Sequence, residues 1–417
     1  MCSTDDTSTS RAFIFDYALT MVAYFVCGGA IIARLTEYFH TPLAVANAII
    51  ALPAILPLAQ IWGGHLFSNS RRRHTFLRTG NLLWRMLLPL VYFSVLLPTG
   101  IGALVMAVAY ALMLGTYHFI QPGHNAWLVD AVEGKVKNNY YSMREFTFMA
   151  FYTVSLFLCG LVVDRGSKSG NLSNAFVLVG LFSSLILGIS AFIMLKRLPP
   201  PLPAPVDQPK SSLFGSLVVP FRDRGYRPVL IYNICWNIAS MFATTFCSLY
   251  QIRILKLDYM FVMSWATVAN LLRVITLPMF AVLAEKIGWK RVSQLTLAIM
   301  GLSALCYTFL TQANAIWLFP ILIIFGQIPY GGFGIGFFKM QISCCRNKER
   351  SLYFAANAAV CGIASIIGTT LCSSLVGYLE ASSATPNFSI IFIIGAVGTA
   401  ITILLVQRVP QSKADGI

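Results

Sequence analysis

The chain has 417 residues, of which 57% are hydrophobic and only 11% charged, with a mean hydropathy of +0.72. Soluble proteins carry about 25% charged residues, so this composition excludes a soluble enzyme and describes an integral membrane protein. The excess of 30 Lys and Arg over 15 Asp and Glu would invite a nucleic-acid partner in a soluble protein; in a membrane chain it is expected in cytoplasmic loops, and no nucleic acid is expected.

The first residues, Met1 to Ser10, are polar and acidic and lack the basic start of a cleaved signal, so the first helix is expected to be retained. Apolar runs then recur at about 20 residues each, which predicts helical spans and not a barrel. They fall at 12–33, 43–67, 76–97, 101–122, 146–163, 173–195, 228–251, 259–284, 293–311, 315–338, 351–378 and 387–406. This predicts an all-α membrane protein of twelve transmembrane helices. With both termini cytoplasmic, the inner loops would hold Arg71 to Arg73, Arg78, Lys135, Lys137, Arg144, Lys286, Lys290, Arg291 and the stretch Lys339 to Arg350. The outer loops would hold only Arg34, Arg165, Lys168, Arg253 and Lys256, and that asymmetry predicts a multi-pass protein of the cell membrane with both ends inside. The ten cysteines are single apart from Cys344 and Cys345 and lack metal-ligand spacing, so neither a disulfide framework nor a metal site is expected.

The longest polar break, 196–227, carries Pro199, Pro200, Pro201, Pro203, Pro205 and Pro209 and cannot be helical throughout. It reads as a cytoplasmic linker between an N-terminal six-helix bundle, 1–195, and a C-terminal one, 228–417. An offset of 217 residues places Arg73 on Lys290, Gly115 on Gly332 and Asp16 on Asn233. Two arrays of similar composition would also align in part, but matching polar stripes favour a pseudo-symmetric pair. In span 1 the stripe is Asp16, Thr20, Cys27 and Arg34; in span 7 it is Asn233, Asn237, Ser240, Thr244, Cys247 and Gln251. Lipid offers such groups no partner, so they face other helices or a polar cavity.

Three loops carry a family resemblance. Leu283-Ala284-Glu285-Lys286-Ile287-Gly288-Trp289-Lys290-Arg291 is similar to the loop motif of the major facilitator superfamily, in which a glycine turn joins two helices and an acid precedes basic residues. Its first-half counterpart, Gly64 to Arg73, keeps glycine and bases but has Ser68 where the family usually has aspartate. Pro122 to Asp130 resembles the end of the family's fourth helix, although the basic residue usual midway along that helix is missing and span 5 lacks the Gly-Pro pattern of drug-exporting antiporters. The resemblance implies a secondary transporter working by alternating access between two halves, with no cofactor. Spans 1, 4, 7 and 10 would then line the cavity, helped by 2, 5, 8 and 11.

On that lining stand Tyr24, Tyr117, His118, Gln121, Asn233, Trp236, Asn237, Gln327, Tyr330 and Asn357, aromatic and amide groups suited to a sugar or another polar solute, and equally to an amphipathic drug. Arg273, about 18 Å of helix from the end of span 8, is an intramembrane charge with Asn270 one turn before it, and it either holds substrate or pairs internally. Arg85 on span 3 is the weaker substrate candidate. Asp16 and His118 are the proton-coupling candidates, Asp16 having a cytoplasmic pairing with Arg11 or another base as its alternative. Gly64, Arg73, Asp130, Glu285, Gly288, Lys290, Arg291 and Arg350 are candidates for the inner gate, the alternative being a solvated charge cluster that serves insertion.

The resulting expectation is an uptake transporter for a small sugar, glycoside or organic anion, with proton symport open. Drug or metabolite efflux by proton antiport is the alternative. The small-molecule substrate, H+ and membrane lipid are the expected partners, and one chain already supplies both halves, which favours a monomer.

Overall fold

The computed structural model describes residues 4–26, 29–132, 139–202, 212–247, 250–346, 349–382 and 387–410. They are helical almost throughout. The first part of the chain forms α1 (Thr4–Val26), α2 (Gly29–Tyr38), α3 (Leu43–Ile55), α4 (Gln60–Asn69), α5 (Arg73–Phe93), α6 (Thr99–Val132), α7 (Tyr140–Lys168) and α8 (Leu172–Lys196). After α9 (Leu213–Arg222) come α10 (Arg227–Thr244), α11 (Tyr259–Ile287), α12 (Trp289–Cys306), α13 (Ala315–Gln327), α14 (Pro329–Cys344), α15 (Arg350–Ser382) and α16 (Ser389–Val406).

Ten helical stretches are long and apolar enough to cross a membrane among the described residues, and eleven if Ser8–Val26 and Ile31–Tyr38, bent by 42°, form one span. The expected span 228–251 falls on α10 and is not among them, because Arg227, Asn233 and Asn237 dilute its apolar residues. Prolines explain where two other spans break. Pro53 and Pro57 border a short 3-10 turn, Leu56–Ala59, between α3 and α4, and Pro329 opens α14 directly after α13.

The chain divides into two compact units: residues 1–217 with 347–355, and residues 218–346 with 356–417. The first residues of α15, 350–355, thus belong to unit 1. In unit 1, α5 packs on α6 and α8, and α1 on α7 and α8, around Trp84, Tyr92, Tyr110 and Phe176, all buried. In unit 2, α10 and α12 pack on α16, and α11 on α13 and α14, around Phe246, Tyr250, Phe319 and Phe392. Leu83, Met86, Phe157, Leu185, Ile275, Met279 and Leu404 point outward, the inverse of a water-soluble surface and the form that lipid solvation requires. Helix α6, at 34 residues, is about 51 Å long against a hydrocarbon core of about 30 Å, and Asp130 lies in its last turn.

Candidate functional site

In unit 1 the polar stripe of α1 is spent on a buried ion pair. Asp16 Oδ1 accepts from Arg85 Nη2 at 3.0 Å and from the Ser190 hydroxyl at 2.6 Å, with both charged side chains almost fully buried. Arg85 Nη1 donates to Asn81 Oδ1 at 2.8 Å, and its guanidinium stacks 5.2 Å from the Trp84 ring centre. Thr20 joins through Ser190 at 3.1 Å. The base near Asp16 is therefore Arg85, from a helix expected to lie outside the cavity, and Arg11 is exposed. A buried charge persists only when paired and hydrogen-bonded, and here every charged atom named has a partner.

One turn further along α1, Tyr24, Tyr117 and His118 come together. The Tyr24 and Tyr117 rings lie 4.3 Å apart, and the Tyr24 hydroxyl is 3.2 Å from His118 Nε2. His118 Nδ1 is 3.5 Å from Gln60 Nε2, a partner that no spacing in the chain singles out. Gln121 turns to Asn125 at 3.4 Å. Between these layers is a space of about 20 Å³ bordered by Tyr17, Thr20, Tyr117, Gln121, His124 and Arg144, room for about one water. Arg144, buried, lies 4.2 Å over the Tyr17 ring and 3.1 Å from Glu145, whose carboxylate also accepts from the Tyr17 hydroxyl at 2.9 Å.

Unit 2 holds a larger cavity, about 270 Å³, inside its own helices. Trp236, Ser240 and Thr244 come from α10, and Cys247 and Gln251 from the chain after it; α12 supplies Ser303; Tyr307 follows it; α13 and α14 supply Gln327 and Tyr330; and Thr399 comes from α16. The Trp236 and Tyr330 rings on its wall have their centres 6.2 Å apart. Every polar group on this wall is neutral. Ser240 and Thr244 stand one turn apart on α10, and the spacing of Ser240, Thr244, Cys247 and Gln251 is why the stripe was visible in the sequence.

The first two residues of that stripe face elsewhere. Asn233 Nδ2 donates to Asn357 Oδ1, and Asn237 Oδ1 accepts from the Ser365 hydroxyl at 3.1 Å, so Asn233, Asn237 and Asn357 tie α10 to α15 outside the cavity wall. Arg273 places its guanidinium 5.9 Å from the Tyr330 ring centre, behind a residue of the wall, while Asn270 is exposed and does not accompany it. Ser303 and Tyr307 continue a buried polar face of span 9 that begins with Ser293 and Thr296 at helical spacing.

The gate candidates separate into three kinds. Asp130 and Arg350 form an ion pair at 2.5 Å within unit 1, and the Ser351 hydroxyl reaches the Gly64 carbonyl oxygen at 3.5 Å. A Cβ on Gly64 would stand 2.5 Å from the Ala355 Cβ and 2.9 Å from the Ser351 oxygen, so only glycine admits this approach. Arg73 donates to the carbonyl oxygens of Phe67 and Ser68 at 3.3 and 3.2 Å, and Lys290 to those of Gln407 and Val409, both at 2.7 Å. Both cations thus satisfy helix C-termini, where the exposed carbonyls and the helix dipole favour positive charge. Gly288, with φ at +80°, makes the turn between α11 and α12 that a side chain would strain. Glu285 and Arg291 are exposed.

Residues 14–369 match the model of the Major Facilitator Superfamily, which spans well over half the chain. The protein therefore belongs to that superfamily and is a membrane transporter of small solutes that works by alternating access. Among solved structures it resembles a bacterial homologue of the iron transporter ferroportin in the outward-facing state, at 13% identity and a TM-score of 0.74, over 97% of this chain and 99% of that one. It likewise resembles FucP, a Major Facilitator Superfamily transporter in the outward conformation, at 14% identity and a TM-score of 0.71, over 97% and 99%. A further structure of FucP, described as the E. coli fucose:proton symporter, matches at 13% identity and 0.71, over 98% of each chain. At such identities the likeness is one of fold. No curated protein matches the sequence.

Proposed function

We propose that the protein carries a small neutral polar organic solute, of which a sugar or glycoside is the best fit, with the unit 2 cavity supplying the main recognition surface. The observation that supports this is the lining itself: aromatic faces from Trp236, Tyr307 and Tyr330, amides from Gln251 and Gln327, hydroxyls from Ser240, Thr244, Ser303 and Thr399, and no charged side chain. Aromatic faces stack on C–H faces of a sugar ring while amides and hydroxyls exchange hydrogen bonds with its hydroxyls. The volume, about 270 Å³, lies just below the roughly 300–1,000 Å³ range of small-molecule pockets and suits a single small solute.

That neutral wall favours the sugar over the organic anion among the expected substrates. Arg273 then acts by holding the Tyr330 ring and not by meeting a carboxylate. The resemblance to a fucose:proton symporter agrees with this reading, at the level of fold. A metal-ion cargo, suggested by the ferroportin homologue, lacks a donor set: among the described residues no three His, Cys, Asp or Glu side chains gather.

The full fold in this reading is twelve spans in two six-helix bundles, 1–195 and 228–417, joined by the cytoplasmic linker 196–227, with α10 as the seventh span and both termini inside. The Asp130–Arg350 pair and the Gly64 contact are assigned to the inner gate. Proton coupling is assigned to His118 and not to Asp16. A proton on Asp16 would dismantle an ion pair and its hydrogen bonds, whereas His118 bonds to the neutral Tyr24 and Gln60, so its protonation breaks no ion pair.

Thermal stability of the detergent-purified chain against panels of sugars, organic anions and lipophilic cations tests the reading, because ligand binding to the folded state raises its stability. A shift with sugars that is lost in Gln327→Leu supports it. A shift confined to anions and lost in Arg273→Gln replaces it with organic-anion transport, and a shift confined to lipophilic cations replaces it with efflux.

A further inference from the structure

Three arginines line one pocket of about 420 Å³ in unit 2: Arg224, Arg227 and Arg408, together with Pro228, Ile231 and Leu405. Arg224 precedes α10, Arg227 is its first residue, and Arg408 follows the end of α16 by two positions, so the pocket sits where two packed helices end together. All three side chains are exposed, and among the described residues none of them makes an ion pair. The neighbouring acid is engaged elsewhere. Asp223 Oδ2 meets Arg346 Nε at 3.0 Å, and its Oδ1 accepts from the Gly225 backbone N–H at 2.9 Å. Three guanidinium groups around one space, with no carboxylate on its wall, select an anion, and their forked donors match phosphate oxygens.

The surroundings decide which anion. The remaining wall is apolar, and from it an unbroken exposed strip runs along α16: Leu404, Ile401, Val397, Ile394 and Ile390, each 37% exposed or more. Their steps of three and four keep them on one helix face for about 21 Å, longer than one leaflet's half of the roughly 30 Å core. Ile231 on α10, exposed at 41%, flanks the upper end of this strip. Arg408 thus stands at the head of an acyl-length apolar track.

We propose that this pocket binds an anionic phospholipid, with its phosphodiester among Arg224, Arg227 and Arg408 and an acyl chain along the α16 strip. A free phosphate would satisfy the arginines but leave the strip unused. The lipid joins the ends of α10, which contributes Trp236 to the cavity wall, and α16, which contributes Thr399. It does not depend on what the cavity carries.

Native mass spectrometry of the full chain, given equal amounts of phosphatidylglycerol and phosphatidylcholine, tests this directly. Wild type is expected to retain one phosphatidylglycerol at about tenfold preference, and R224Q/R227Q/R408Q to lose that preference while the charge-matched control R71Q/R72Q/R78Q keeps it. Equal loss in both triple variants, or no loss in either, overturns the proposal. Inorganic phosphate is the second arm: if it displaces the retained lipid at equal concentration, the site is a phosphate site and the lipid assignment fails. Should the triple variant not fold, wild type labelled with a photoactivatable phosphatidylglycerol decides the matter. Label on peptides from α10 and α16 around the three arginines supports the site, and label elsewhere overturns it.

Discussion

Asp16 and Arg85 meet at 3.0 Å between α1 and α5, both buried, and the Ser190 hydroxyl from α8 closes on the same carboxylate oxygen. One ion pair therefore joins three helices of unit 1. Removing one partner of such a pair leaves the other charge buried without compensation, which costs about 3–5 kcal/mol, whereas replacing both with apolar groups of similar size is far less damaging. Asp16→Leu is expected to lower unfolding stability by that amount, and Asp16→Leu with Arg85→Met to recover most of it. Denaturation of the purified variants measures both. Equal instability of single and double variants would mean that the pair contributes more than charge compensation.

The gate assignment predicts a charge-swap result. Asp130→Arg alone sets two cations beside each other at the position where Arg350 now approaches to 2.5 Å, and is expected to reduce uptake at least tenfold. Asp130→Arg with Arg350→Asp is expected to restore a large part of it. Uptake into proteoliposomes reads both variants, and failure of the swap to restore any activity would assign Asp130 a role other than this pair.

Gly64→Val tests the same contact sterically. A Cβ at Gly64 already falls 2.5 Å from the Ala355 Cβ, so the branched side chain is expected to force the first turns of α15 away from α4. Overpacking of this kind costs about 1–3 kcal/mol. Protease access to residues 350–355, compared between wild type and variant, should rise; unchanged access would show that the backbone yields without opening.

His118→Gln addresses coupling. Glutamine keeps a hydrogen bond to Tyr24 but carries no titratable proton, so uptake in the variant is expected to be independent of an imposed pH gradient while solute binding is kept within about threefold. A gradient response that survives the substitution places the coupling elsewhere.

The membrane class, the family and most helices were legible because lipid solvation writes a strong signal: runs of about 20 apolar residues broken by charged turns. Span 7 reads as an apolar run, yet α10 is more polar than the ten clear spans among the described residues, since the same asparagines that tie it to α15 lower its hydropathy. The Asp16–Arg85 pair was less legible. Each residue stood out as a charge among apolar neighbours, but nothing in the chain says which of the bases available will meet a given acid 69 positions away. Four residues of the span 7 stripe line the cavity, and Asn233 and Asn237 bond to α15, a division that side-chain spacing alone cannot make. Gln60 entered its site through packing, with no pattern of its own, whereas Ser303 and Tyr307 share a helical face with Ser293 and Thr296.

The central claim is that a neutral polar solute binds among Trp236, Gln327 and Tyr330, and uptake of the sugar that most stabilises the protein is the most direct measurement of it. In proteoliposomes, Gln327→Leu should raise the half-saturating concentration about 10- to 100-fold, the cost of one or two lost hydrogen bonds, and Trp236→Ala should do the same, while wild type saturates normally. Unchanged half-saturation in both variants would contradict the account and move the substrate out of this cavity.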